Sequence, residues 1–242
     1  MFKRMKALIW LRNQILMTNK NLLVQILLPF ILVLLYKNIV GLTGMKLMFA
    51  CLSMAISISI GNMISTIISE EKEKNILKTL ILSGVRYNEY ILSVLIPPII
   101  VTIVTMTVFP ILTESNIDDL YLEYSVVILL TSLAVMLMNM CIGLLSSTQS
   151  QAQINGLPIT FIVALLPMFS GIKDSLKKVV DCSFMGAYTN FFTDPEFSIS
   201  DTSIKILIIW NICLSLLAFL AIKKSKSLEI NRRHSLSKLK FF

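Results

Sequence analysis

Few residues in this 242-residue sequence combine the types and spacing that reaction chemistry needs. There is one histidine, His234, so neither a histidine-based metal centre nor a Ser-His-Asp arrangement can be assembled. No G-x-x-x-x-G-K-[ST] loop is present to cradle nucleotide phosphates, and no HExxH motif or intramembrane aspartate pair occurs. Cys51, Cys141 and Cys213 fall in apolar runs and Cys182 stands alone, so no disulfide framework is implied and all four read as small apolar residues. The sequence therefore predicts no catalytic residue, no metal site and no cofactor held by this chain.

The segment that does carry a pattern is Ser69–Glu89, SEEKEKNILKTLILSGVRYNE, charged first and apolar after. Glu70 and Glu71 precede Lys74 by four and three positions, an order that stabilises a helix by about 0.2–0.5 kcal/mol per pair. Ile76, Leu77, Leu80 and Ile81 form one stripe, and Ser83-Gly84 supplies a stop. The pattern predicts a short amphipathic helix over 70–83, with Glu70, Glu71, Glu73 and Lys74 at its charged start. Its apolar face is too small for a membrane domain and suits a cleft in another protein; the alternative is a solvated turn with an apolar edge.

The elements that must position this segment are set by composition. With 55% hydrophobic and 15% charged residues, a water-soluble globule of this length would expose too much apolar surface. Uncharged runs near Leu22–Tyr36, Leu47–Ser69, Tyr90–Thr113, Tyr124–Ser147, Ile154–Ile172 and Ile204–Ile222 approach or reach the roughly 20 residues that cross a bilayer. The first reaches full length if it continues through Lys37 to Val40 with the lysine snorkelling outward. None shows the alternation of a barrel strand, so the expectation is an all-α integral membrane protein of six transmembrane helices in one domain, 1–242. No cleavable signal peptide is evident after the basic start.

Net charge is +8, which on a soluble chain would raise nucleic acid as a partner. Topology accounts for it instead. With the N-terminus in the cytoplasm, segments 1–21, 70–89, 148–153 and the tail 223–242 hold sixteen of the 22 Lys and Arg, as the positive-inside bias requires. Both termini are then cytoplasmic, the protein is a multi-pass cell-membrane protein whose basic face meets membrane lipid, and no nucleic-acid partner is needed.

Residues 1–21 read as an interfacial amphipathic helix, apolar at Met5, Leu8, Ile9, Ile15 and Leu16, serving as an anchor or as a contact to a cytoplasmic partner. Ser53, Ser57, Gly61 and Ser65 place small residues at every fourth position of the second run, for close helix packing or for a substrate-facing wall, with Asn62 adding polarity nearby. Pro97, Pro98, Pro158 and Pro167 should kink or loosen their spans. No Asp, Glu, Arg or His lies deep in a span, so the groups that ion-coupled carriers keep there are missing and the energy source should lie elsewhere. Segment 172–203 is expected to be extracellular, with an outer helix marked by Ile172, Leu176, Val179 and Val180, and with Phe191-Phe192 either anchoring it in lipid or capping the spans.

At Glu71, Lys72, Glu73, Lys74, Leu77, Leu80, Ile81, Ser83, Val85, Glu89 and Tyr90 the sequence resembles the permease subunits of type 2 ATP-binding-cassette exporters. It departs from their pattern at Asn75 for Gly, Ile76 for Thr and Gly84 for Pro. A second patch, Gly143-Leu144-Leu145-Ser146, Gln151-Ala152-Gln153, Pro158 and Ser170-Gly171, is similar to the join between their fourth and fifth spans. The resemblance implies an N-terminal elbow helix and a coupling helix that contact a separate ATPase, with Glu70, Glu71, Glu73, Lys74, Ile76, Leu77, Leu80 and Ile81 as coupling residues. It implies two ATPase copies carrying ATP and Mg, and a second permease, identical or related. Spans two and five would flank the substrate path, making Ser57, Asn62, Leu166 and Phe169 candidates. The expected cargo is hydrophobic or amphipathic, such as a peptide toxin or bacteriocin leaving a bacterial cell. Drugs, lipids or glycans are the alternatives, as is a non-transporting immunity or scaffold protein.

Overall fold

The computed structural model describes the backbone of residues 2–239 and the side chains of 4–225. His234 and most of the basic tail therefore lie outside the described side chains. Among the described residues every regular element is helical. Six helices are long and apolar enough to cross a membrane: span one Lys20–Val40, span two Gly44–Glu73, span three Tyr87–Thr113, span four Asp118–Leu145, span five Gln149–Phe169 and span six Thr202–Ser225.

Boundaries shift from the sequence reading where local chemistry sets them. Span one does continue through Lys37, in a π-helical turn Tyr36–Val40, and the Lys37 ammonium leaves the apolar run to reach Glu114 Oε1 at 2.7 Å. Gly41, at φ 70, then turns the chain toward span two. Span five begins at Gln149 rather than Ile154, because the Thr148 hydroxyl accepts the Gln151 N–H and caps the helix. Span three runs unbroken from Tyr87 to Thr113 through Pro97 and Pro98.

Span two is the hub. Spans one, three, four and five pack around it, and span six packs on span four. The small-residue stripe makes these approaches close. A Cβ on Gly61 would lie 2.7 Å from Asn139 Nδ2, and one on Gly143 would lie 3.0 Å from the Ser65 backbone, so spans two and four meet almost backbone to backbone. Ser53 and Ser57 donate to the Ala164 and Thr160 carbonyls of span five. The stripe is thus used for packing within the chain.

The N-terminal helix, Phe2–Thr18, runs along the start of span three and joins span one at Asn19, whose side chain accepts the Asn21 and Leu22 N–H groups. Leu8 and Arg12 face inward while Trp10 and Met17 are exposed. Arg4 of this helix donates to the Gly84 carbonyl in the link between spans two and three, and Glu73 reaches Gln149 at the link between spans four and five. These three pieces lie together at one end of the bundle, which we call the basic end.

At the opposite end, segment 172–203 forms helices Asp174–Asp181 and Gly186–Thr193. Phe191 is buried and Phe192 half-buried, stacked among Phe49, Tyr124, Tyr188 and Phe197, so the aromatic pair is part of a cap over the spans and not a lipid anchor. Tyr188 donates to the Phe49 carbonyl at 2.6 Å; burial holds its phenol well above the ordinary range, so it remains a neutral donor.

Candidate functional site

Residues 70–73 close the last turn of the span-two helix, and successive residues on a helix point about 100° apart. Four charged side chains in a row must therefore aim in four directions, and each meets a different element. Glu70 Oε2 accepts from Asn19 Nδ2 at 2.7 Å, at the joint between the N-terminal helix and span one. Glu71 pairs with Arg12 of the N-terminal helix, both side chains being almost fully buried. Lys72 donates to the Leu144 and Ser146 carbonyls, 2.7 and 2.5 Å away, at the C-terminal end of span four. Glu73 Oε2 accepts the Gln149 N–H at 2.7 Å, at the N-terminal end of span five. The last two are the charges that a helix C-terminus and N-terminus respectively favour.

Arg12 is wired further. Its Nε donates to Ser93 Oγ at 3.3 Å and its guanidinium sits 5.2 Å from the Tyr90 ring centre, both on span three. Tyr87, also on span three, donates to Ser225 at the end of span six. The basic end is therefore one cross-braced junction in which the end of span two is tied to spans one, four and five and to the N-terminal helix.

The amphipathic helix expected over 70–83 is two pieces. Glu70, Glu71 and Glu73 belong to span two, the chain breaks at Asn75 with φ 57, and a separate helix runs Ile76–Leu82. The break falls where the resembled pattern has glycine, and asparagine is the side-chain-bearing residue that best tolerates left-handed backbone. The apolar stripe turns inward: Leu77 is fully buried, Leu80 and Ile81 pack on the core, and Ile76 is half-buried. The reason is competition. A stripe this close to the ends of six spans is covered by its own chain. The tip stays exposed at Thr79, Leu82, Ser83 and Gly84, as do Glu73, Lys74 and Asn75 before the helix and Arg86 after it, and Leu82 is 67% exposed.

Of the substrate-path candidates, Ser57 is buried against span five, Leu166 is half-buried against the core, Phe169 is exposed at the far end of span five, and Asn62 is half-buried. A neighbouring stripe has the open position. Within the π-helical segment Ala55–Gly61, Ser57 donates to Thr160 of span five and Ser59 to the Gln25 carbonyl of span one. Ile58 lies between them, on the side of span two that neither neighbour covers, and shares partial exposure with Met54 and Asn62 one turn to either side. Ile56 and Ile60 on the other side are fully buried. At the foot of this open face Asn62 Oδ1 accepts from the Thr160 hydroxyl at 3.2 Å, and the buried Asn139 stands nearby across Gly156.

Sequence reasoning missed Arg12, Ile58 and Met54. Arg12 stood in view, four residues from both Leu8 and Leu16, on the apolar stripe of its helix. Which side of span two is open had no local signal, since Ile56, Ile58 and Ile60 are chemically alike and their exposure depends on where spans one and five dock.

Among the described residues no three His, Cys, Asp or Glu side chains gather as metal ligands. Six spans, four of them packed around span two and braced with it at one end, define a multi-pass membrane protein. A family model described as ABC-2 family transporter protein matches residues 37–222, and the chain belongs to that family. No curated protein and no solved structure matches the chain. It is the membrane component of a transporter, and the family implies association with a separate ABC ATPase.

Proposed function

We propose that this chain is the permease subunit of an ATP-driven exporter whose ATPase, with its ATP and Mg, docks on the basic end from the cytoplasm. The four-way junction at Glu70–Glu73 carries this reading. A rigid-body push on the helix Ile76–Leu82 passes directly to the end of the hub span, and through it to spans one, four and five. In this scheme the N-terminal helix is the elbow and Ile76–Leu82 the coupling helix. The ATPase meets the exposed tip at Leu82, while Glu71, Leu77, Leu80 and Ile81 work from inside as transmitters.

Two permeases, identical or related, would face one another across the open side of span two, with two ATPases beneath. Met54, Ile58 and Asn62 then join Phe169 along the path. That surface is apolar apart from one neutral amide and carries no charge, which favours a hydrophobic or amphipathic cargo; amphipathic peptides, toxins or bacteriocins among them, are the class we favour.

Co-purification with the ATPase tests the scheme. Leu82→Asp should release the ATPase and abolish ATP-dependent export while the permease stays monodisperse. Association and export both unchanged would remove Ile76–Leu82 from the interface, and the absence of any nucleotide-dependent export by the unaltered chain would favour a scaffold.

A further inference from the structure

Leu82 ends the short helix Ile76–Leu82, and its neighbours carry one sign of charge. At about 100° per residue it lies about 40° from Lys78 and about 100° or more from Leu77, Leu80 and Ile81, so it points away from the stripe that packs on the core. Three cations flank it. Lys78 stands one turn earlier and is half-buried, Arg86 follows the helix and is exposed, and Arg4 of the N-terminal helix is held alongside by its 2.8 Å bond to the Gly84 carbonyl.

Among the described residues none of these three is in an ion pair: the pairs formed are Arg12–Glu71, Lys37–Glu114 and Lys74–Glu70. The carboxylates on either side of this helix in the chain are engaged elsewhere, Glu73 on the Gln149 N–H and Glu89 on the Arg86 N–H. The N–H groups of Ser83, Gly84 and Val85 bond to carbonyls of the helix and its turn, as do the hydroxyls of Thr79 and Ser83. At Leu82 the tip therefore presents apolar surface flanked by cationic donors. Lipid phosphates are the other anions in reach of a basic end. A helix lying in the interface would turn its apolar stripe to lipid and its cations to the phosphates beside it. Here the stripe is covered by protein, and Leu82 points the other way.

We infer, resting on the docking proposed above, that the groove of the ATPase subunit that receives Leu82 has an apolar floor and a rim of Asp and Glu side chains, which meet Arg4, Lys78 and Arg86. A neutral or basic rim would strip water from three cations and return no partner to them. Attraction between opposite patches is screened by salt, whereas an apolar contact by itself is not, so salt separates the two contributions.

The full-length permease in nanodiscs of phosphatidylcholine, which carries no net charge, is mixed with the ATPase that co-purifies with it, and the dissociation constant is measured in about 0.1 M and about 1 M KCl, where the screening length is about 10 and about 3 Å. The unaltered chain should bind roughly tenfold more weakly at the higher salt, which is what three exposed pairs supply together. Lys78→Gln combined with Arg86→Gln should flatten most of that dependence. Lys78→Glu combined with Arg86→Glu should invert it, salt then relieving a repulsion. The thermal midpoint without ATPase checks that both variants fold, and the neutral variant decides by itself if the reversed one does not. Equal affinity at both salts, or an unchanged salt dependence in the neutral variant, overturns the inference and leaves the docking of Leu82 in place. A salt dependence present in discs of phosphatidylglycerol and absent in phosphatidylcholine assigns the cations to lipid phosphates and also overturns it. An ATPase that binds at neither salt removes the docking itself, and the acidic rim with it.

Discussion

Arg12 and Glu71 decide more at the residue scale than any other pair. Two opposite charges removed from water attract strongly only when both are present, so deleting one leaves the other buried and uncompensated. Arg12→Ala should lower stability by about 3–5 kcal/mol, read as a fall in the thermal midpoint of the purified protein. Arg12→Met combined with Glu71→Leu should restore most of that loss, because similar volumes refill the site without a charge to desolvate. If the pair transmits ATPase closure as proposed, the double variant will fold and bind ATPase yet hydrolyse ATP without exporting cargo. Full export by that variant would reduce the pair to a packing role. Asn75 offers a second residue-scale test. Asn75→Gly should be tolerated, whereas Asn75→Val should cost roughly 1–2 kcal/mol, since a β-branched side chain clashes at positive φ. Gly84, at φ 91, excludes the proline found at this step in the resembled pattern.

At the scale of elements, span two is a helix with assigned sides. Ser57 faces span five, Ser59 faces span one, and Met54, Ile58 and Asn62 face the gap between them. Single cysteines at Met54, Ile58 and Asn62 should react with a small membrane-permeant maleimide in the isolated permease. Cysteines at Ile56 and Ile60 should remain unlabelled. Protection of the first three when the second permease is present would place the gap between subunits. Equal reactivity at all five positions would mean that the open face has been assigned to the wrong side of the helix. The short helix after Asn75 follows a related logic: its apolar stripe is satisfied inside the chain, so a partner can meet only its tip.

Considered as a whole molecule, the protein places its buried ion pair at one end and its aromatic cap at the other, where the exposed Lys37–Glu114 pair also lies. Arg12, Glu70, Glu71, Lys72 and Glu73 brace the basic end, while Phe49, Tyr124, Tyr188, Phe191 and Phe197 cap the opposite one. This division follows the proposed topology, with the basic end in the cytoplasm. With the four native cysteines replaced by serine, a membrane-impermeant thiol reagent added to intact cells should label a cysteine at Glu196 and spare one at Ser150, both exposed positions. The reverse pattern would invert the orientation and remove the ATPase from the end where we place it.

Length and hydropathy alone determined the number of spans and their approximate limits, because a bilayer imposes a fixed crossing length on any helix. The charged run at the end of span two was equally legible, and so was its match to the family pattern. What it did was not. Four consecutive charges look like the solvated start of a helix until the ends of spans one, four and five and the N-terminal helix arrive around them, and partners 51 to 76 residues away leave no periodicity to read. The same holds for the small-residue stripe: its spacing required a close neighbour, while only the packing of spans one and five showed that Ser57 is covered and the adjacent Ile58 is open. Local pattern fixes which residues share a face; the docking of distant helices decides whether that face meets protein, lipid or cargo.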